Sequence, residues 1–174
     1  KTVAPRTVKS VISRHKNNYL NFENFQISSY TGQMYLAIWK LYEDKKKKEN
    51  ALDFDDLLLK TVELLENNED VLDMYQERFK YIHIDEYQDT NKVQYLLTTL
   101  LAKKYKNICV VGDGDQNIYS WRGADIVNIL NFENDYPDAK VVLLEENYRS
   151  TKNIIAVANS VIKKNSIRKD KTLF

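Results

Sequence analysis

Cysteine and glycine are both scarce in this 174-residue chain, and each shortage excludes something. A single cysteine, Cys109, rules out a disulfide framework and a cysteine-based zinc cluster. It lies inside the apolar run Ile108-Cys109-Val110-Val111, which suits a buried core residue in a reducing compartment. Glycines stand only at 32, 112, 114 and 123, so a glycine-rich loop of the form G-x-x-x-x-G-K-[ST], which holds triphosphates, cannot be built here. No stretch of about 18 apolar residues and no secretory leader appear, so the expectation is a soluble, cytoplasmic chain without a membrane partner. Net charge is only +1, too small to announce a polyanionic partner by itself. The chain begins at Lys1 rather than Met, which reads as an excised piece of something longer.

What is present is enough for a core: 43% of residues are hydrophobic, over a length of about one domain. Charge is uneven along the chain. Residues 1–20 carry Lys1, Arg6, Lys9, Arg14 and Lys16 with no acid, and the last twelve carry Lys163, Lys164, Arg168, Lys169 and Lys171 against Asp170. Two basic ends could meet a polyanion, and solvated helix faces are the commoner explanation. Helical periodicity covers residues 3–19 and 32–48, the second ending in a lysine run over 45–48 that reads as a solvated helix end. Residues 1–50 therefore look like a small helical unit without its own sheet.

After Asn50 the pattern changes. Asp53 can cap the helix that follows, with acids early in its first turn, and a second short helix is expected over 71–79. Three apolar runs then read as buried strands, at 81–84, 108–111 and 141–144. Helical patterns at 92–104 and about 124–132 separate them, and a last helix is expected over 152–164. Strand, helix, strand, helix, strand implies right-handed crossovers and a parallel sheet covered on both faces.

Three polar turns leave these strands. The first is Asp85-Glu86-Tyr87-Gln88-Asp89-Thr90-Asn91. At the carboxyl end of a parallel strand, Asp85 can hold Mg²⁺ and Glu86 can take a proton from an attacking water. A solvated strand-to-helix turn is the bland alternative. The second, from Gly112 to Ala124, offers Gln116 to a terminal phosphate and Tyr119 and Trp121 as flat faces for single-stranded bases. From composition alone, packing of Trp121 beneath its own loop is the commoner reading. The third places Arg149 between a β run and a helix, where it could neutralise charge on a phosphoryl group or pair with Glu145 or Glu146.

DEYQDTN at 85–91, VVGDGDQNIYSWRGA at 110–124 and LEENYRST at 144–151 resemble motifs II, III and IV of superfamily 1 DNA helicases of the UvrD/PcrA/Rep type. ALDFDDLL at 51–58 resembles the segment by which those proteins return from an inserted helical subdomain to the first motor domain. The resemblance implies an α/β fold: part of a RecA-like P-loop motor domain with a parallel sheet, preceded by a small all-helical segment. Residues 1–50 would end the inserted subdomain, 51–147 would form the later part of the first motor domain, and 148–174 would begin the second.

It also implies roles. Asp85 would hold Mg²⁺ and Glu86 would activate water. Gln116 would contact the γ-phosphate of ATP, Tyr148 would stack on adenine, and Arg149 would sense the γ-phosphate. Tyr119 and Trp121 would stack on single-stranded DNA, Arg122 would tie their loop to the acidic motif, and Phe54 would lie near the strand. Glu146 replaces a customary Gln and adds negative charge beside the nucleotide. The parent would be an ATP-driven helicase moving 3′ to 5′ on single-stranded DNA and at junctions. This piece, without the phosphate loop, is expected to be inactive alone and to need the missing parts of its motor or to self-associate through an open sheet edge. A nucleotide-independent DNA-binding or partner-docking module is the alternative.

Overall fold

The computed structural model describes residues 3–120, 123–165 and 171–174. Its first half is helical: α1 (Pro5–Asn17), α2 (Tyr30–Lys48), α3 (Phe54–Asn67) and α4 (Glu69–Arg78). Local chemistry sets each start. Pro5 occupies the first turn of α1, where its missing N–H costs nothing. The Ser29 hydroxyl accepts the Gly32 N–H at the head of α2. Asp53 and Asp56 form a reciprocal capping box on α3, at 2.8 and 3.0 Å, as its acids lead one to expect.

Strand β1 (Ile82–Ile84) leads through a tight turn into α5 (Lys92–Ala102), capped by a second box between Asn91 and Gln94. Strand β2 (Ile108–Val110) then pairs parallel to β1, with His83 opposite Cys109. The connection through α5 is the crossover expected of parallel strands. Two four-residue helices, α6 (Val127–Leu130) and α7 (Phe132–Asp135), replace the longer one predicted over 124–132, and α8 (Lys152–Ile162) follows.

Two apolar clusters hold the helices. Val8, Ile12 and Trp39 join α1 to α2, with Phe22 and Phe25 edge-on to the Trp39 ring. Leu59, Val62 and Val93 join α3 to α5, with Leu96, Leu97 and Leu100 against them. Complete burial of a side chain such as Val62 contributes about 1.5–3 kcal/mol.

Four expectations need correction. Residues 141–144 form no ladder among the described residues, and Val141, Val142, Leu143 and Leu144 are exposed. β-branched composition favours an extended chain, but a strand exists only where a neighbour takes its N–H and C=O groups. Here the stretch faces β2 across an apolar cleft of about 280 Å³, lined by Cys109, Val110, Ile129, Phe132, Val141 and Leu143. Among the described residues the sheet therefore has two strands and is not covered on both faces. Cys109, for the same reason, is exposed rather than buried.

The fourth correction concerns lysines. Lys46, inside the supposed solvated run, and Lys16, in the supposed polyanion-facing end, are both buried. Each reaches Asp56: Lys16 Nζ lies 2.7 Å from Oδ1, and Lys46 bonds to Oδ2. Lys16 also meets Asp53 at 2.8 Å and Glu43 at 3.0 Å. The two ammonium groups thus bind α1, α2 and the head of α3 into one charged knot. No helix among the described residues is long and apolar enough to cross a membrane.

Candidate functional site

The parallel pairing carries the chain out of β1 and β2 at the same end of the sheet. β1 delivers Asp85 and Glu86, both exposed. The Asp85 carboxylate accepts the Glu86 N–H at 2.9 Å, and Glu86 itself is left-handed, at φ 50° and ψ 41°. A non-glycine residue pays about 1–2 kcal/mol for that conformation. The reversal turns the Tyr87 N–H back onto the Val111 carbonyl, at 3.0 Å, and starts a short 3₁₀ turn over Tyr87–Asp89.

Gln88 ends up 1% exposed between the two turns. Its amide N–H donates to Glu86 Oε2 at 2.7 Å, and its Oε1 accepts the Asp113 N–H at 2.9 Å. Its backbone carbonyl accepts from Asn117 Nδ2 at 2.5 Å. Glycine is required at 112, where a Cβ would stand 2.6 Å from Gln88 Oε1 and 3.1 Å from the Tyr87 nitrogen.

Beyond Gly112, Asp113 is a junction. Its side chain accepts the Asp115 N–H and the Gln116 side-chain amide, at 2.9 and 2.8 Å, and pairs with Lys171. Burial works against its charge, but the hydrogen bonds from Lys171 and Gln116 outweigh it and hold the carboxyl below its ordinary range. Farther along, Asp125 N–H and Asn128 Nδ2 both donate to the Thr90 carbonyl, each at 3.0 Å, so the loop is stitched to the acidic turn at both ends. A second cleft of about 420 Å³ opens between Gln116 and the Ala158, Val161 and Ile162 side of α8.

The sequence-predicted residues fall into groups. Asp85, Glu86 and Gln116 are brought together through Gln88 and Asp113. Tyr119 lies on the same loop, 38% exposed, while Trp121 and Arg122 lie outside the described residues. Phe54 stands 89% exposed in the first turn of α3. Tyr148 is 87% exposed and donates its hydroxyl to Glu146 at 2.8 Å, which raises the phenol's pKa. Arg149 is exposed and pairs with neither Glu145 nor Glu146 among the described residues, so the ion-pair alternative is not taken up. Neither Tyr148 nor Arg149 lines the two clefts or bonds to the acidic turn among the described residues.

Among the described residues no three His, Cys, Asp or Glu side chains gather into a metal cage. Mg²⁺ does not need one, since it commonly takes one or two carboxylates and completes its octahedron with water and phosphate oxygens. Adjacent, solvent-facing Asp85 and Glu86 fit that habit. Sequence reasoning missed Gln88 and Asp113; the visible signal was a polar pair, one immediately before an acid and one after a glycine, in turns expected to be neighbours.

An acidic turn and a glutamine-bearing loop, side by side at the carboxyl end of two parallel strands joined by a helix, mark an α/β protein. The family model described as the UvrD/REP helicase N-terminal domain matches residues 1–137, and the chain belongs to that family. It is 53% identical over 176 residues to the ATP-dependent DNA helicase PcrA of Staphylococcus epidermidis, a match covering all of this chain and 24% of that protein. It is 51% identical over 172 residues to PcrA of Bacillus subtilis, covering 98% of this chain and 23% of that protein. PcrA of Staphylococcus aureus is 52% identical over 176 residues, again across the whole chain and 24% of the relative. The chain thus spans about a quarter of the length of the curated relatives it matches.

Proposed function

We propose that this chain is the middle of an ATP-dependent DNA helicase motor, moving 3′ to 5′ on single-stranded DNA and at its junctions. The observation that carries the reading is the placement of Asp85, Glu86 and the Gln116 loop at one end of the β1–β2 pair, in a chain that belongs to a helicase family. On this reading residues 51–147 belong to a RecA-like motor domain, residues 1–50 close an inserted helical subdomain, and residues 148–174 open the second motor domain.

Bound Mg²⁺ would neutralise phosphate charge and orient ATP, and Asp85 is the residue to hold it, with Glu86 beside it. Glu86 takes the proton of the attacking water. Gln116 contacts the γ-phosphate and passes its presence to the loop bearing Tyr119, Trp121 and Arg122. Tyr119 and Trp121 stack on bases, Phe54 supports the strand, and Arg122 ties the loop to the acidic turn. Tyr148 stacks on adenine, and Arg149 approaches the γ-phosphate when the second motor domain closes. Their exposure and lack of contact with the acidic turn suit an open arrangement, which nucleotide would tighten.

The apolar cleft beside β2 also suits a missing part of the motor or a second copy of the chain. Among the described residues its walls, β2 and residues 141–143, form no ladder with each other. A strand from another part of the motor, leading to a phosphate loop, would pair there; without it, two copies of this chain would meet at the open edge.

The test compares the 174-residue chain with the full-length protein for ATP turnover and for binding of labelled single-stranded DNA. The expected result is turnover only in the longer protein, with DNA affinity that falls with salt and responds to nucleotide. DNA binding by the longer protein that falls with salt but ignores nucleotide would favour the simple binding module instead.

A further inference from the structure

We infer that Gln88 is a positioning residue: its buried side chain fixes the carboxylate of Glu86 and locks it in register with the 112–117 loop. The inference rests on the reading of Glu86 as the group that accepts the water's proton, and adds how that group is held and to what it is coupled.

Glu86 is exposed at the tip of a reversal. An exposed glutamate samples several rotamers. Gln88 removes that freedom. Its Nε2 donates to Glu86 Oε2 at 2.7 Å, so one of the two carboxylate oxygens is held. A glutamine amide has one donor end and one acceptor end, so the acceptor end must find an N–H elsewhere. It finds the Asp113 N–H at 2.9 Å, in the loop whose Val111 carbonyl accepts the Tyr87 N–H and whose Asn117 side chain donates to the Gln88 carbonyl.

Two further observations show that the site is built around this amide. Gln88 is 1% exposed, and a buried amide that lost either partner would be left with an unmet polar atom. Gly112 leaves room for its Oε1 that any larger residue would fill. Because the Asp113 carboxylate in turn accepts from Gln116, at 2.8 Å, a continuous path runs Glu86, Gln88, Asp113, Gln116. Movement of the loop when Gln116 meets a phosphate or Tyr119 meets a base must therefore pull on the amide that holds Glu86. The same link that positions the base makes its position depend on the loop.

The test uses the full-length protein with Gln88→Met, which keeps volume and removes both bonds, and Gln88→Glu, which keeps an acceptor for Asp113 but sets a carboxylate against Glu86. For Gln88→Met the expected results are a kcat for ATP lower by at least about tenfold with KM within about threefold, loss of stimulation by single-stranded DNA, and faster hydrogen exchange at the Asp113 amide. For Gln88→Glu the fall in kcat is expected with the Asp113 amide still protected. A packing role alone would leave kcat intact in whichever variant folds, and that result overturns the inference, as does unchanged exchange at Asp113 in Gln88→Met. Should Gln88→Met fail to fold, Gln88→Glu decides by the same kcat criterion; should both fail, Gly112→Ala decides, because its Cβ displaces the Gln88 amide. Full turnover in Glu86→Gln would instead sink the reading of Glu86 itself, a separate failure.

Discussion

Lys16 and Asp56 form an ion pair of 2.7 Å in which both side chains are only 2% exposed. Removing one partner of such a pair strands the other in a site with little water, and that desolvation exceeds the value of the pair itself. Asp56→Ala leaves the Lys16 and Lys46 ammonium groups with only Glu43 and Asp53 to balance them and removes the acceptor for the Asp53 N–H at the head of α3. The expected cost is about 3–5 kcal/mol, read from urea denaturation. A loss below about 1 kcal/mol would mean that the knot is solvated in solution.

The same knot gives stability a pH dependence. Burial alone would raise the Asp53 and Asp56 carboxyls, but hydrogen bonds from Lys16, and from Lys46 at Asp56, overcome it and lower both from the ordinary 3.8. A carboxyl lowered in the folded state contributes stability that is whole above 3.8 and is lost as pH falls through its folded value. Lys16 is shifted the other way: burial opposes its charge, the bonds to Asp53 and Asp56 win, and its pKa rises above 10.5, so its contribution persists through neutral pH. Urea midpoints should therefore be flat from about pH 6 to 8 and fall below about pH 4, with Asp56→Asn showing a shallower acid slope.

Gly112→Ala tests the close approach of the two turns. Its Cβ would meet Gln88 Oε1 at 2.6 Å and Ile129 Cδ1 at 2.9 Å, with the Tyr87 backbone behind at 3.1 Å. Overpacking of this kind costs about 1–3 kcal/mol. Thermal unfolding of the variant should show that loss, and an unchanged midpoint would mean the turns are free to separate.

At Glu86 two effects oppose each other. Its left-handed backbone is strained for a glutamate and easy for glycine. Glu86→Gly relieves about 1–2 kcal/mol of backbone strain but leaves the buried Gln88 amide without its Glu86 acceptor, at about 1–3 kcal/mol. Stability should therefore change by less than about 2 kcal/mol in either direction while turnover is lost. Calorimetry of the variant checks the first half; a fall of several kcal/mol would place the cost outside these two effects.

Much of this was legible in the residues because it is local. The Asp53 cap, the parallel order of two apolar runs and the acidic turn at the end of the first all follow from neighbours a few positions apart. What was hidden depends on distant partners. Lys46 looks like one of four solvated lysines until α3 presents Asp56 to it. Residues 141–144 look like a strand until the neighbour that would pair with them is absent from the described residues, and Cys109 is exposed on the uncovered side of the same ladder. Gln88 looks like one more polar turn residue because nothing local shows that its amide spans two loops. The Lys171 contact with Asp113 joins residues 58 positions apart and has no local signal either.

If the Asp85-Glu86 turn is the hydrolytic end of an ATP-driven motor on DNA, single-turnover ATP hydrolysis by full-length Glu86→Gln will show it. The account predicts ATP and single-stranded DNA affinities within about threefold of the parent, with the hydrolysis rate lower by about 10² or more. Hydrolysis at the parent rate with binding intact would contradict it.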